Sequence, residues 1–164
     1  MYCVRKVTDD LYWVGANDHR TTLFENIHPI PKGVSYNAYL LLDQETVLFD
    51  TVDWSVCRQM MENLEHLLDG RDLNWLVVNH LEPDHAASIE AFMNKFPATT
   101  VVANKKTFAM IGQFFPNLTL GSTVSVENFG TLSLGKHTLA FVSAPMVHWP
   151  EVMVSYETTE KILF

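Results

Sequence analysis

The sequence predicts an α/β fold in which mixed sheets are covered by helices. Residues 75–78 and 100–103 are short, continuous apolar runs, the pattern of strands that are buried on both faces. Around them apolar residues recur at helical spacing, most clearly from Val56 to Leu68. The order is β-rich, then β-α-β-α-β, then β-rich again, and this order favours a layered α/β architecture.

The first fifty residues predict short strands. Residues 4–7 and 11–14 are expected to be two strands around a turn at Asp9-Asp10. Residues 17–33 are polar, irregular and proline-containing, so we expect a loop there. Residues 34–42 are predicted to form one strand and residues 47–49 the next, on either side of the turn "DQET".

The middle of the chain predicts three helices. Asp53 is expected to cap the first, which ends at Asp69-Gly70. The second covers residues 86–96, and Asn104 is expected to cap the third over residues 105–115. Beyond Asn117 the pattern changes to short β segments, predicted at 118–120, 124–126, 131–134, 138–143, 153–156 and 162–164.

Composition excludes several classes of function. The chain has 164 residues, enough for one domain with a core, and its net charge of −8 argues against nucleic acids or anionic membranes as partners. Two cysteines are too few for a disulfide framework. The N-terminus is charged where a signal peptide would be apolar, and no window reaches the ~18 apolar residues of a membrane span. We therefore expect a soluble, cytoplasmic protein.

The stretch "VVNHLEPDHAAS", residues 77–88, gathers His80, Glu82, Asp84 and His85 directly after a predicted strand. Pro83 disfavours the helical conformation for Glu82, so His80, Glu82 and Asp84 are expected on one side of an extended backbone. Asp84 can then cap a helix that begins near His85. Two converging carboxylates need a positive charge between them, which indicates a metal site. The alternative is a surface loop in which Asp84 is a simple cap.

The other histidines differ in how well their sequence context suits a metal ligand. His148 lies in "SAPMVHWPEVMVSY", just past a predicted strand, and is predicted to be a further ligand. His66 and His137 are expected to be solvated. His19 and His28 lie in the first predicted loop and could line a pocket.

The segment "HLEPDH" resembles the first metal motif of the metallo-β-lactamase superfamily. Zinc hydrolases of that superfamily carry a histidine where this chain has Glu82, and the version with glutamate is similar to the flavodiiron proteins. The segments "GVSYNAYLL", "VLFDTVD" and "APMVHWPEVMVSY" resemble segments of that family in the same order. The resemblance extends over essentially the whole chain.

The resemblance implies a metallo-β-lactamase-like αβ/βα sandwich of mixed sheets flanked by helices, incomplete at the C-terminus. Residues 1–164 would be the N-terminal portion of a diiron domain, and the flavodoxin-like FMN domain of the family would be absent from this chain. By the same resemblance His80, Glu82 and His148 would bind one iron, while Asp84 and His85 would bind the other. The family's bridging aspartate and last histidine come later, so the two-iron site would be incomplete here.

The implied function is reduction of O₂ to water, of NO to N₂O, or of both. Electrons would come through FMN, which belongs to the full-length family and is not bound by this chain alone, from a rubredoxin-like or flavin donor. The family also implies a head-to-tail homodimer. Two alternatives stay open: a di-zinc hydrolase with a metal-bound hydroxide, and a catalytically inactive fragment or oxygen-binding module.

Overall fold

A large mixed sheet lies at the centre of the computed structural model, which describes residues 2–164, with helices on one face and a second sheet on the other. The strands are β1 (Arg5–Lys6), β2 (Leu11–Trp13), β3 (Ala16–Asp18), β4 (Leu23–Phe24), β5 (His28–Pro29), β6 (Val34–Tyr36), β7 (Tyr39–Leu42), β8 (Thr46–Phe49), β9 (Trp75–Val77), β10 (Thr100–Ala103), β11 (Thr123–Ser125), β12 (Thr131–Ser133), β13 (Thr138–Ser143), β14 (Met153–Glu157) and β15 (Ile162–Leu163). The helices are α1 (Cys57–Leu68), α2 (Pro83–Ala86), α3 (Ile89–Lys95) and α4 (Lys105–Phe114).

The central sheet changes from antiparallel to parallel at β8. Its order is β1-β2-β7-β8-β9-β10-β11, with antiparallel pairing from β1 to β8 and parallel pairing from β8 to β11. The second sheet has the antiparallel order β12-β13-β14-β15. Because β8 and β9 are parallel, the loops that follow them leave the sheet at the same edge.

Alternating side chains of the central sheet fill two separate cores. Leu48 and Leu76 belong to the core under the helices, together with Met60 of α1 and Phe92 of α3. The other core lies between the two sheets, and its members include Val47, Phe49, Val77, Val102, Leu139, Phe141 and Met153. Burial on both faces explains why β8 to β10 read as continuous apolar runs rather than as alternating ones.

The predicted ends of the first and third helices are confirmed in their main features, whereas the single helix predicted over residues 86–96 is wrong, because α2 ends at Ala86 and α3 begins at Ile89. Asp53 accepts a hydrogen bond from the backbone nitrogen of Ser55, although it caps a short 3-10 turn (Trp54–Val56) that leads into α1. Asp69 ends α1 in the left-handed conformation. Asn104 accepts from the backbone nitrogen of Thr107 and so caps α4.

Three predictions in the β-rich parts are wrong. The segment 17–33 is not a simple loop, because it holds β4 and β5 and most of β3. Residues 34–42 form two strands, since the chain changes partner at residues 37–38: β6 pairs with β3, whereas β7 pairs with β2. Residues 118–120 form no strand; Leu118 and Leu120 are apolar because they pack against the core under the helices.

His137 is buried rather than solvated, which corrects the sequence-based expectation. Its ring is 0% exposed, and its Nε2 lies 2.9 Å from Asp10 Oδ2 while its Nδ1 lies 3.1 Å from Glu157 Oε1. Asp10 belongs to the turn between β1 and β2, and Glu157 ends β14, so this charged group joins the two sheets. No helix within residues 2–164 is long and apolar enough to cross a membrane.

These ion pairs have a defined pH dependence. Burial lowers the pKa of His137, but the hydrogen bonds and charges of Asp10 and Glu157 outweigh it and raise the pKa above its ordinary value of 6.5. Burial works against the shift of Asp10 too, and the hydrogen bonds from His137 and Lys136 lower its pKa from 3.8 to about 2. His137 therefore stabilises the fold below pH 6.5 and loses this effect as the pH rises, whereas Asp10 stabilises it above pH 3.8 and loses this effect toward pH 2.

We predict that Asp10→Asn lowers the free energy of unfolding by about 1–3 kcal/mol at pH 5–6, because it leaves a buried imidazolium with one carboxylate fewer. Urea unfolding followed by circular dichroism at pH 3, 5.5 and 9 measures the effect. The loss should be largest at pH 5.5. Asp9→Asn is the matched control, since the Asp9 side chain is 96% exposed; an Asp10 variant that behaves like this control would contradict the prediction.

Candidate metal centre

The candidate site lies at the edge where β8 and β9 end and β14 begins. Asp50 follows β8, residues 79–82 follow β9, and residues 148–152 precede β14. The second sheet is attached at this point, because the Met153 backbone nitrogen donates to the carbonyl of Asn79 at 3.0 Å. Side chains from both sheets therefore meet at one edge.

The loop after β9 begins as predicted and then differs. Glu82 is extended, with φ −59° and ψ 145°, as expected for a residue before proline. Helix α2, however, begins at Pro83, so Asp84 lies in its first turn and does not cap a helix that starts near His85. The prediction of a capping Asp84 is wrong because proline at the first helical position starts the helix earlier.

Three predicted ligands converge on one point. Glu82 Oε2 lies 3.1 Å from His80 Nε2 and 2.8 Å from His148 Nε2. The two imidazole nitrogens are 3.3 Å apart. The three ligand atoms all lie within 4.8 Å of one another, so the group could hold a metal ion.

Asp84 and His85 form a second group beside the first. His85 Nε2 lies 3.6 Å from Asp84 Oδ2, and the rings of His80 and His85 are 5.4 Å apart between centroids. Asp84 Oδ1 is buried and has no hydrogen-bond partner within the described residues. The structure thus brings all five predicted residues to one edge, as a triad and an adjoining pair.

His80 and His85 each have a carboxylate within hydrogen-bond distance of Nδ1. His80 Nδ1 lies 2.8 Å from Glu151 Oε1, and His85 Nδ1 lies 3.2 Å from Asp50 Oδ2. When Nδ1 carries the proton and donates to a carboxylate, the lone pair on Nε2 is free for a metal. The sequence analysis missed both partners. Their only signal in the sequence was position: Asp50 directly follows the strand that pairs with β9, and Glu151 comes three residues after His148.

The supporting carboxylates are fixed by further hydrogen bonds. Asp50 Oδ1 accepts from the Asn79 backbone nitrogen at 2.6 Å, and Asn79 Oδ1 accepts from Ser155 Oγ at 2.7 Å. The Asn104 side chain donates to the Glu151 carbonyl at 2.6 Å. Residues of β14 and the cap of α4 therefore position groups that contact the loop after β9.

Burial, hydrogen bonds and neighbouring charges shift the pKa values of three residues at the site. Burial raises the pKa of Glu82, but its hydrogen-bonding neighbours, His80 and His148 among them, lower it below its ordinary value of 4.5. Burial raises the pKa of Asp84. Burial lowers the pKa of His85, yet the hydrogen bond and charge of Asp50 raise it to about 9.

The donor set fits a divalent cation. Among the described residues, histidines are the only ion-pair partners of four carboxylates at this edge: Asp50, Glu82, Asp84 and Glu151. Two buried carboxylate oxygens, on Asp84 and Glu151, have no hydrogen-bond partner there. Unpaired buried negative charge is costly, and a bound cation is the usual compensation.

The remaining histidines lie elsewhere. His66 is exposed, as predicted, and stacks on Tyr2 with 3.9 Å between ring centroids. His19 is exposed with its Nδ1 3.1 Å from the Lys32 carbonyl, and exposed His28 pairs with Phe24 in the β4–β5 hairpin. The side chain of His148 is 66% exposed.

Comparisons with known proteins agree with the fold. Residues 34–164 match the family described as ODP family beta lactamase. A nitric oxide reductase from Moorella thermoacetica is 35% identical over 158 residues, covering 96% of this chain and 39% of that protein. The rubredoxin oxygen:oxidoreductase from Desulfovibrio gigas has a TM-score of 0.92 and 32% identity, covering 98% of this chain and 40% of its own. The flavodiiron protein from Giardia intestinalis has a TM-score of 0.93 and 28% identity, covering 100% and 40%.

The predicted fold class is confirmed by these matches, since the chain has the α/β core of a metallo-β-lactamase-like flavodiiron structure. The chain spans about two fifths of the length of these relatives.

We predict that Asn79→Ala lowers the free energy of unfolding by about 1–3 kcal/mol, because it removes the acceptor of buried Ser155 Oγ and loosens Asp50. Urea unfolding of the metal-free protein measures the change. Asn94→Ala on α3 is the matched control, since Asn94 is exposed. Equal stability of the two variants would show that the Asn79 side chain does not support the site.

Proposed function

The chain belongs to the ODP family of beta-lactamase-like proteins, and from this membership we propose that it contributes a non-haem diiron site that reduces O₂, NO or both. The observation that carries the proposal is the convergence of His80, Glu82 and His148, with Asp84 and His85 beside them. Residues 1–164 would be the N-terminal portion of the diiron domain.

The proposed ligands divide between two iron positions. His80, Glu82 and His148 would hold one iron, because their ligand atoms lie within 4.8 Å of one another. Asp84 and His85 would contribute to the other, since they form the adjoining pair. Bound iron would supply the redox chemistry and the binding position for the small substrate.

Glu82 favours iron over zinc at this site. A carboxylate is a harder ligand than imidazole and adds a negative charge, which suits a metal that cycles between +2 and +3. Glu82 is 5% exposed, and its Oε2 lies 3.1 Å from His80 Nε2 and 2.8 Å from His148 Nε2, so it already lies among the other ligand atoms. Zinc hydrolases of the superfamily carry a histidine at this position, so Glu82 argues against the di-zinc hydrolase that the sequence left as an alternative.

The residues around the ligands would orient them. Glu151 fixes the ring of His80 and Asp50 fixes the ring of His85, each through Nδ1. The exposed side chain of His148 marks the side from which O₂ or NO could enter.

Electrons would have to come from a redox partner. The names of two relatives, nitric oxide reductase and rubredoxin oxygen:oxidoreductase, support NO or O₂ as substrate and a rubredoxin-like donor, and we propose a flavin donor as the alternative. We further propose FMN as the relay in the full-length protein, a head-to-tail homodimer, and a cytoplasmic reaction in which the free Cys3 and Cys57 stay reduced.

We predict that anaerobically purified protein binds ferrous iron and consumes O₂ or NO when a reductant is supplied. His148→Ala should lower the iron affinity by at least tenfold, because it removes one of three converging ligands. Calorimetric titration with Fe²⁺ and oxygen- or NO-electrode traces provide the measurements.

His66→Ala is the control, since this histidine is exposed and lies on α1. If the protein binds iron but consumes neither gas, the result supports the alternative of a catalytically inactive fragment or oxygen-binding module. Stoichiometric zinc with esterase or lactamase activity would contradict the redox proposal and support the hydrolase.

A further inference from the structure

Glu151 is a buried carboxylate that the sequence pattern of ligands did not include. It is 1% exposed and precedes β14. Its Oε1 accepts from the Leu81 backbone nitrogen at 3.0 Å and lies 2.8 Å from His80 Nδ1. Both contacts are to the loop after β9, so one oxygen of Glu151 fixes the main chain and the ring of the same ligand segment.

The second oxygen of this carboxylate is unusual. Glu151 Oε2 is buried and has no hydrogen-bond partner within residues 2–164. The only ion-pair partner recorded for Glu151 in the same range is the imidazole of His80. A buried carboxylate with one oxygen unpaired destabilises a fold unless positive charge is nearby. A cation bound at His80 Nε2, which faces Glu82 and His148, would supply this positive charge on the far side of the ring.

We propose that Glu151 is a positioning residue for a divalent metal at His80. Its buried charge lowers the stability of the metal-free protein and raises the affinity for the metal. Glu151 fixes the ring with Nε2 toward the other ligands, and its negative charge is compensated when a cation binds on the far side of the ring. This role rests on the metal site of the proposed function and is independent of the redox reaction.

A comparison within β14 shows what an ordinary buried carboxylate looks like in this fold. Glu157 is also 1% exposed, but its Oε1 accepts from the Thr159 backbone nitrogen at 2.7 Å and its Oε2 accepts from that of Glu160 at 2.6 Å. Glu157 lies at the far end of the strand, beside His137. Its two oxygens are therefore satisfied without a metal.

The test compares Glu151→Gln with Glu157→Gln. Glutamine at 151 keeps a carbonyl oxygen for Leu81 and His80 but removes the charge. We expect its urea-unfolding midpoint without metal to equal or exceed that of the wild type, while its affinity for Zn²⁺ and Co²⁺ falls by about 10- to 100-fold. Glutamine at 157 puts an amide against backbone donors, so its midpoint should fall while its metal affinity stays unchanged.

A lower metal affinity of Glu151→Gln without a lower unfolding midpoint identifies Glu151 as a positioning residue. If Glu151→Gln lowers stability and affinity together, or leaves affinity unchanged, Glu151 is structural and the inference is overturned; a wild-type protein that binds neither metal overturns it as well. Nitrogen-15 NMR of the His80 ring adds a second readout, because the proton should stay on Nδ1 in Glu151→Gln and should not in Glu151→Leu. If Glu151→Gln lowers metal affinity without lowering stability in a protein that consumes neither O₂ nor NO, the proposed function is rejected and this inference stands.

Discussion

Burial of negative charge at one edge of the molecule is the constraint on which the rest of the site depends. Asp50, Glu82 and Glu151 are each at least nine-tenths buried, and their ion-pair partners in the described part of the chain are imidazoles. A fold gains nothing from such a cluster unless something compensates its charge. The ligand geometry, the supporting carboxylates and the unpaired oxygens all agree with the proposal that this edge holds cations.

The arrangement of the sheets makes this cluster possible. Parallel pairing of β8 and β9 brings Asp50 and the loop with His80 to the same edge, and the second sheet supplies Glu151 from the segment that leads into β14. The hydrogen bond from Ser155 to Asn79 ties the sheets together beneath the ligands. At the other end of β14, His137 lies between carboxylates from both sheets. The two sheets are thus joined by polar contacts at both ends of an otherwise apolar interface.

Local patterns in the sequence were sufficient for the main helices, the buried strands and the ligand types, but not for the short strands β3 to β6 or for contacts between distant segments. The apolar runs of β9 and β10, the caps at Asp53 and Asn104, and the extended Glu82 before proline follow from neighbouring residues, and the structure contains them. Asp50 and Glu151 could not be assigned, because their roles exist only once β8, β9 and β14 are side by side. His137 was misjudged for the same reason: next to Gly135-Lys136 it resembles a turn residue, and only Asp10 and Glu157 explain its burial.

The three residues of the triad are not equally fixed, and this difference bears on how a metal would enter. His80 and Glu82 side chains are 10% and 7% exposed and are held by hydrogen bonds, so their conformational entropy is lost when the chain folds. The His148 side chain is 66% exposed, and its polar contacts in the described residues are to Glu82 and His80. A metal arriving from solvent would therefore meet two positioned ligands inside and one accessible ligand outside. His148 would thus be the ligand of the three that is most open to solvent.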